Sequence, residues 1–384
     1  MEVGEKRNSL VHGIKRSLPL IGIVVGIVFG VVGCGSLGPG RVPGDNINYN
    51  EAIAQSTREQ MLLNLLRLRY LEQPQFLKVS SVVTQYTIEG DVGVAGTRGF
   101  GSASDTITGG ANLGYAERPT VTYLPISGQE FAKRLMSAVP TELFFSAAQA
   151  GWPTDLLMQI GLERIGNIEN MSFGAVPAPG DFDRVKQFRK DLEKLKRFQH
   201  LIQTLAELSQ EEAFEVIRER GEESATLFLV FEENVTSEIR DRVQELKREL
   251  GLEPNRNVFR ITGRYTRRQA DEITIQTRSL MAMMSFISRG TEIPEIHQQE
   301  GRVIPIGVVT SAGVAPPPIP FRIHSQKEKP AHAHTAVRFQ DHWFYIDHAD
   351  VKSKRILMLI MLLFSLRAPE VEAAAPVLTL PTGP

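Results

Sequence analysis

Residues 225–250 read ATLFLVFEENVTSEIRDRVQELKREL and place a short apolar run directly before an amphipathic segment. The run ATLFLVF predicts a buried strand. The segment after it predicts a helix over residues 236–250 that ends at Gly251, because glycine readily takes the left-handed conformation that closes helices. Two further strands, NVFRIT and DEITIQT, and a Met-rich helix over residues 280–289 give a β-α-β-β-α order. This order is typical of a small α+β sandwich.

The amino-terminal half predicts a helix followed by a long β-hairpin. Residues 50–72 carry a broad apolar side and end at Gln73-Pro74, which predicts a helix. Residues 76–89 and the phrase RPTVTYLPIS alternate and are rich in β-branched residues, which predicts two strands. Residues 90–114 between them are rich in glycine, so we expect them to form the distal part of the hairpin.

Three shorter features follow the hairpin. Ser127 and Glu130 have the spacing of a capping box and predict a helix that runs to about residue 139. Pro140 suits the first turn of the next helix, which Gly151 closes. The phrase TDLLMQIGLERIGNIEN, beginning at Thr154, fits either a helix or a strand.

The charged middle region predicts two helices. Apolar residues recur every three or four positions over residues 182–208, which predicts a long helix with one apolar face. Ser209 and Glu212 predict the start of a second helix that ends near Gly221. Such helices form either a solvated packing layer or an exposed docking surface, and the sequence favours the packing layer.

The carboxyl-terminal region predicts an irregular connector followed by a compact end. Residues 291–335 show no regular period, and the phrase APPPIP is expected to be extended. The phrases TAVRF and HWFYID flank Gln340 and Asp341 and predict a hairpin. The apolar residues 356–366 predict a buried helix that is too short to span a bilayer.

The composition limits the kinds of partner. The 384 residues include 43 Lys and Arg against 44 Asp and Glu, a net charge of −1. This balance predicts no basic surface for nucleic acid, so we expect no nucleic acid partner. The single cysteine, Cys34, cannot form an internal disulfide.

The amino terminus has the order of charge and apolarity found in export signals. Residues 1–17 contain Lys6, Arg7, Lys15 and Arg16, and residues 18–33 are uncharged and rich in Ile, Val and Gly. As a helix, residues 18–33 would extend about 24 Å, whereas the hydrocarbon core of a bilayer is about 30 Å thick. A permanent membrane span is therefore disfavoured.

The apolar run ends in Val31, Val32, Gly33 and Cys34, which resemble the lipobox of bacterial lipoproteins. The resemblance implies cleavage before Cys34 and a covalent diacylglycerol and N-acyl lipid on that residue. Gly35, in place of an aspartate, implies delivery to the outer membrane. We expect the body to face the periplasm, with the cell exterior as the alternative. Two or three acyl chains hold a protein firmly to lipid, whereas one holds it only marginally. The alternative is a Gly-Cys pair that happens to end a transmembrane anchor.

The predicted fold class is α+β, with mixed helices and small antiparallel sheets in two or three subdomains and a long glycine-rich hairpin. The predicted segments are a lipoprotein signal peptide (1–33), a flexible tether (34–48), an α+β domain (49–175), a helical segment (182–222), a second α+β domain (223–290), a Pro-rich connector (291–335) and a hairpin with a buried helix (336–384).

Motifs for catalysis are absent from the sequence in their required context. GFGSAS lacks the third glycine of a dinucleotide loop, and the chain has no GxxxxGK, HExxH or GxSxG motif. We therefore expect no catalytic residue and no cofactor other than the lipid on Cys34.

Several potential metal ligands lie together near the carboxyl end: His332, His334, His342, His348, Asp341, Asp347 and Asp350. Neutral imidazole and carboxylate groups suit transition metals. The predicted hairpin, however, separates His332 and His334 from His342, and Asp347 or Asp350 could cap the final helix. Surface histidines that bind no metal are the favoured interpretation, and a metal site is the alternative.

The chain also contains six phrases with a common resemblance: REQMLLNLLRLRYLEQPQFLKVSSV, PTVTYLPISGQEF, AGWP, TRSLMAMMSFISRGTEIP, HWFYIDHADVKSK and PVLTLP. In this order they resemble phrases of large uncharacterised lipoproteins of proteobacteria. The resemblance covers most of the chain after Cys34 and implies a shared fold, but it carries over no catalytic residue.

These observations predict a non-enzymatic, lipid-anchored cell-envelope protein that is a structural or assembly subunit of an outer-membrane-associated complex. Its partners would be membrane lipid, through Cys34, and a protein partner or further copies of itself. One alternative is a metal-dependent envelope enzyme or binder that uses residues 332–348. Another is an oligomeric export pore formed by the hairpin at residues 90–114.

Overall fold

The computed structural model describes residues 42–97, 106–170, 182–220, 225–263, 269–304, 308–310, 313–315 and 319–368. Contacts divide the chain into two units, residues 1–57 and 58–384. The first helix, α1 (Val42–Arg69), runs from the first unit into the second. The elements below belong to the second unit.

A six-stranded sheet forms the centre of the second unit. Its strands are β3 (Leu162–Ile165), β4 (Ile168–Glu169), β5 (Phe214–Arg220), β6 (Ala225–Phe231), β7 (Val258–Thr262) and β8 (Glu272–Thr277), in the order β4-β3-β8-β7-β6-β5. Strands β7 and β8 are parallel, and the other neighbours are antiparallel. Helices packed on this mostly antiparallel sheet confirm the α+β prediction.

Residues 225–250 form the strand and the helix that the sequence predicts. Phe231 in β6 contacts Phe259 in β7, which is fully buried, with the two rings edge to face at 6.1 Å. Helix α6 (Ser237–Leu250) follows, and the Thr236 side chain accepts a hydrogen bond from the Ile239 backbone at 3.4 Å. Gly251 closes the helix with a φ of 67°. Both ends of α6 are therefore set by the local residues that predicted them.

The remaining helices of this region cover the sheet or lie beside it. They are α2 (Gln129–Met136), α3 (Thr141–Gln149), α4 (Thr154–Gly161), α5 (Phe182–Gln210) and α7 (Leu280–Ser288). Helix α5 packs on α4, α6 and strand β4, and α7 packs on α2 and α4. The buried faces of these helices and of the sheet share one core.

Strands β1 (Phe76–Thr97) and β2 (Thr106–Ile126) form a separate two-stranded sheet. They pair from Phe76 opposite Ile126 to Thr97 opposite Thr106, with a bulge between Val79 and Ser81. The base is fixed by Phe76, which stacks on Phe364 with ring centres 4.5 Å apart. The predicted hairpin is confirmed over the described part, and residues 98–105 of its predicted tip lie outside it.

The carboxyl-terminal part contains a second small sheet. Its strands are β11 (His324–Gln326), β12 (Ala333–Phe339) and β13 (His342–Asp347), in the order β11-β13-β12, and β9 (Val308–Thr310) pairs separately with β10 (Gly313–Ala315). The predicted turn between β12 and β13 is confirmed, since Gln340 and Asp341 both have positive φ. Helix α8 (Glu295–Gln299) precedes the sheet and α9 (Val351–Arg367) follows it. Asp350 caps α9 by accepting a hydrogen bond from the Ser353 backbone at 2.9 Å.

Four local predictions need correction. Residues 211–220 do not continue as a helix, because Phe214 and Val216 face the core from β5, which pairs with β6 along seven residues. Helix α2 has Gly128 at its amino-terminal cap position and no side-chain cap from Ser127. The irregular segment 291–335 contains α8 and β11. The final helix has 17 residues and starts five residues before the predicted position.

The ambiguous phrase that begins at Thr154 is divided between both structures, a helix up to Gly161 and then β3 and β4. Among the helices of the described ranges, none is both long enough and apolar enough to cross a membrane.

Candidate functional site

The predicted lipidation site cannot be placed on this fold. Cys34 and the lipobox residues Val31, Val32 and Gly33 lie outside the described residues, as does the phrase PVLTLP. The predicted tether at residues 34–48 is wrong for residues 42–48, which belong to α1, so that helix begins eight residues before its predicted start at residue 50. Residues 34–41 lie outside the described part of the chain. The anchor therefore stays a prediction from the sequence.

The structure places the four candidate histidines at two ends of one hairpin. The His348 backbone N–H donates to the His332 carbonyl oxygen at 3.2 Å, so these two residues are neighbours. His334 lies in β12 beside them, and burial, Arg58 and Lys354 lower its pKa. His342 begins β13 at the opposite end, next to the turn.

The nearby carboxylates already have other partners. Asp347 accepts a hydrogen bond from the Ala349 backbone at 2.7 Å, and Asp350 caps α9. In the described part of the chain, no group of three or more His, Cys, Asp or Glu residues has an arrangement that could hold a metal ion. The hairpin register explains the separation, since a strand of six residues spans about 20 Å.

His342 instead belongs to a buried aromatic cluster that the sequence analysis missed. The Tyr70 hydroxyl and His297 Nδ1 share a hydrogen bond of 2.7 Å, and the His297 and His342 rings lie 4.8 Å apart, edge to face. Tyr70 also packs edge to face on Phe339 and Phe344. We call Tyr70, His297 and His342 the Tyr70 cluster. It connects the end of α1 with α8 and the β12–β13 hairpin.

Burial controls protonation in the Tyr70 cluster. His297 is 1% exposed, and desolvation, Arg302 and His342 lower its pKa, although a hydrogen bond with the Gln340 backbone opposes this. Burial raises the pKa of Tyr70 to about 12. The cluster therefore favours a neutral imidazole beside a neutral phenol. Tyr70 and His297 are 227 residues apart in sequence, so no local motif could have indicated their pairing.

The base of the β1–β2 hairpin presents an apolar face to solvent. The register places Leu77, Val79, Val82, Val121 and Tyr123 on one side of the two strands, and we call these five residues the hairpin face. Leu77, Val121 and Tyr123 are 48%, 36% and 51% exposed. The opposite side carries Phe76 and Ile126 into the core. A contiguous exposed apolar face is typical of an interaction surface.

Comparison of the chain with protein-family models, with curated proteins and with solved structures finds no match. The function therefore has to be inferred from the surfaces and side-chain clusters of this chain alone. In the described residues the main such surface is the hairpin face, because the histidines are divided between two places and Tyr70 and His297 are closed to solvent.

Proposed function

We propose that this protein is a lipid-anchored cell-envelope protein that is a structural subunit of an outer-membrane-associated assembly. Acylated Cys34 would attach it to membrane lipid, and the β1–β2 hairpin would join it to further copies of the same chain. The observation that carries the proposal is the hairpin face, an apolar surface on a sheet of only two strands.

A long two-stranded sheet is poorly stable by itself. Strands β1 and β2 have 22 and 21 residues, and within the described residues each has only the other as a neighbour. Isolated hairpins are marginal in water, because each strand leaves one edge of N–H and C=O groups without a partner strand. A neighbouring molecule would stabilise both the edges and the hairpin face.

A second copy of the chain suits this surface better than a charged partner. The five side chains of the hairpin face carry no charge, so burying them against one another needs no desolvation of ions. Each copy also offers an edge of the same length and direction for strand pairing. Both properties support self-association through the hairpin.

The first experiment compares two double variants of the full chain by native mass analysis in mild detergent. Leu77→Ser with Tyr123→Ser changes the hairpin face, and we expect it to convert an oligomer into a monomer. Lys78→Ser with Thr122→Ser is the matched control on the opposite side, where the register places both residues. A face variant that keeps the oligomer, or a wild type that is monomeric at all concentrations, would reject the assembly proposal.

The second experiment tests the anchor. Intact-mass analysis of membrane-extracted protein should show loss of residues 1–33 and added acyl mass, and Cys34→Ser should lack both changes. An uncut wild-type chain without acyl mass would instead make residues 18–33 a membrane anchor. Release of a dye from vesicles by the wild-type oligomer, and its loss in the face variant, would favour the pore over a purely structural subunit.

A further inference from the structure

A narrow apolar cavity lies between the six-stranded sheet and the helices that cover it. It has a volume of about 70 Å³. Its walls come from α3, α4 and α5 on one side and from the sheet on the other: Phe144, Leu157, Leu205, Leu229, Ile273 and Ile275. All six side chains are buried hydrophobic residues. An apolar cavity of this kind excludes water and binds apolar groups.

A wider groove at the surface adjoins the cavity. The groove has a volume of about 1060 Å³ and shares several wall residues with the cavity, including Phe145, Ala148, Met158, Phe214 and Val216. Because both spaces have these walls in common, the cavity lies directly beside the groove, and only these shared side chains separate a ligand in the groove from the cavity.

The mouth of the groove is rich in uncharged polar groups. Five glutamines line it: Gln149, Gln159, Gln199, Gln203 and Gln210. Amide side chains both donate and accept hydrogen bonds. The charged groups at the mouth are Asp155, Glu215 and Lys352, which do not add up to a strong field of either sign. The mouth therefore suits an uncharged head group with hydroxyls better than a strongly charged one.

The geometry points to a binding site for a single-chain amphiphile, whose apolar chain enters the cavity and whose uncharged hydroxylated head contacts the glutamines. The apolar walls provide affinity through burial of the chain, and the amides select the head. This site is distinct from the hairpin face, because its walls belong to the sheet and its covering helices.

Calorimetric titration of the full lipidated chain with monoacylglycerols tests this assignment. The acyl chain is lengthened from eight carbons in steps below the micellar concentration. Each added CH₂ should tighten binding about fourfold until the cavity and the apolar part of the groove are full, since burial of one CH₂ contributes about 0.8 kcal/mol. A fatty acid of equal length should bind more weakly because its head is a carboxylate.

Two variants that fill the site from opposite walls should abolish this binding. Ala148→Phe blocks the junction from α3, and Ala206→Phe blocks the groove from α5. Ala150→Phe is the matched control, because Ala150 is exposed at the end of α3. We expect at least a tenfold loss of affinity in each blocking variant and none in the control. Thermal unfolding identifies a variant that fails to fold. If one blocking variant fails to fold, the affinity of the other blocking variant tests the assignment.

Four results would overturn the assignment. The first three are binding that does not depend on chain length, equal loss in Ala150→Phe, and equal or tighter binding of the fatty acid. Binding by the Cys34→Ser chain but not by the lipidated chain would also overturn it, because the protein's own acyl chain would then be the occupant.

Discussion

The six-stranded sheet and the β1–β2 hairpin are built from similar alternating residues but differ in what covers them. Each buried strand of the sheet has helices or neighbouring strands against it. In β8, five of the six residues are buried. At its base, the hairpin has one side on the core through Phe76 and Ile126, and Leu77, Val121 and Tyr123 on its other side are exposed. The difference teaches that strand formation needs only local alternation, whereas stability needs a partner surface.

The largest expected effect is on the sheet. Phe259→Ala removes a fully buried ring that packs on Phe231, so we expect a loss of about 3–5 kcal/mol in the free energy of unfolding. Tyr123→Ala, on the exposed hairpin face, should change it by no more than about 0.5 kcal/mol. Urea unfolding followed by circular dichroism measures both values in the monomer. Equal losses would mean that the hairpin shares the core's stability.

An intermediate effect is expected in hydrogen exchange of the backbone amides. In the monomer, amides of β7 and β8 should exchange only with global unfolding, at about 5–15 kcal/mol. Amides of β1 and β2 beyond the bulge should exchange at much lower free energies, because in the described residues these two strands pair only with each other. Assembly should protect them selectively. Equal protection of the hairpin and the sheet in the monomer would contradict the proposal that a second copy stabilises the hairpin.

The smallest expected effect is a pH dependence from the Tyr70 cluster. The pKa of His297 is lowered in the fold, so the unfolded chain binds more protons below about pH 6.5. Stability is therefore complete above pH 6.5 and decreases as the pH falls toward the folded-state pKa. His297→Gln can still accept the Tyr70 hydroxyl and should reduce this slope.

The matched control for the pH experiment is His200→Gln, which changes an exposed histidine on α5. Chemical denaturation at a series of pH values compares the three proteins. Some slope should remain in His297→Gln, because the pKa of His334 is also lowered. An unchanged slope in His297→Gln would remove His297 as a source of the acid sensitivity.

Elements with local signals were predictable. The ends of α6 follow from Thr236 and Gly251, and the turn at Gln340 and Asp341 follows from the alternating strands beside it. The helix predicted to start at Ser209 failed for a nonlocal reason. The charged segment after Ser209 begins like a capped helix, but residues 214–220 form strand β5 because they pair with β6. Tertiary pairing overrides weak helix propensity in this way.

The candidate sites also differ in whether local sequence or tertiary contacts define them. The lipobox predicted at Cys34 depends on four adjacent residues, whereas the pairing of Tyr70 with His297 joins distant parts of the chain. The four candidate histidines looked close in sequence, but the hairpin places His342 at the opposite end from His332. Sequence proximity predicts spatial proximity poorly within strands, because each residue advances the chain by about 3.3 Å.

By itself, the sequence determined the α+β class and the existence of the long hairpin, because periodicity and caps act within a few residues. The anchor at Cys34 stays a prediction from a short motif. Only the tertiary structure decided which strands share a sheet, where the apolar cavity lies and which apolar residues stay exposed. Those outcomes depend on the packing of surfaces that are far apart in the chain. A hydrophobic residue is attracted to any apolar surface, and only the complete fold selects among them.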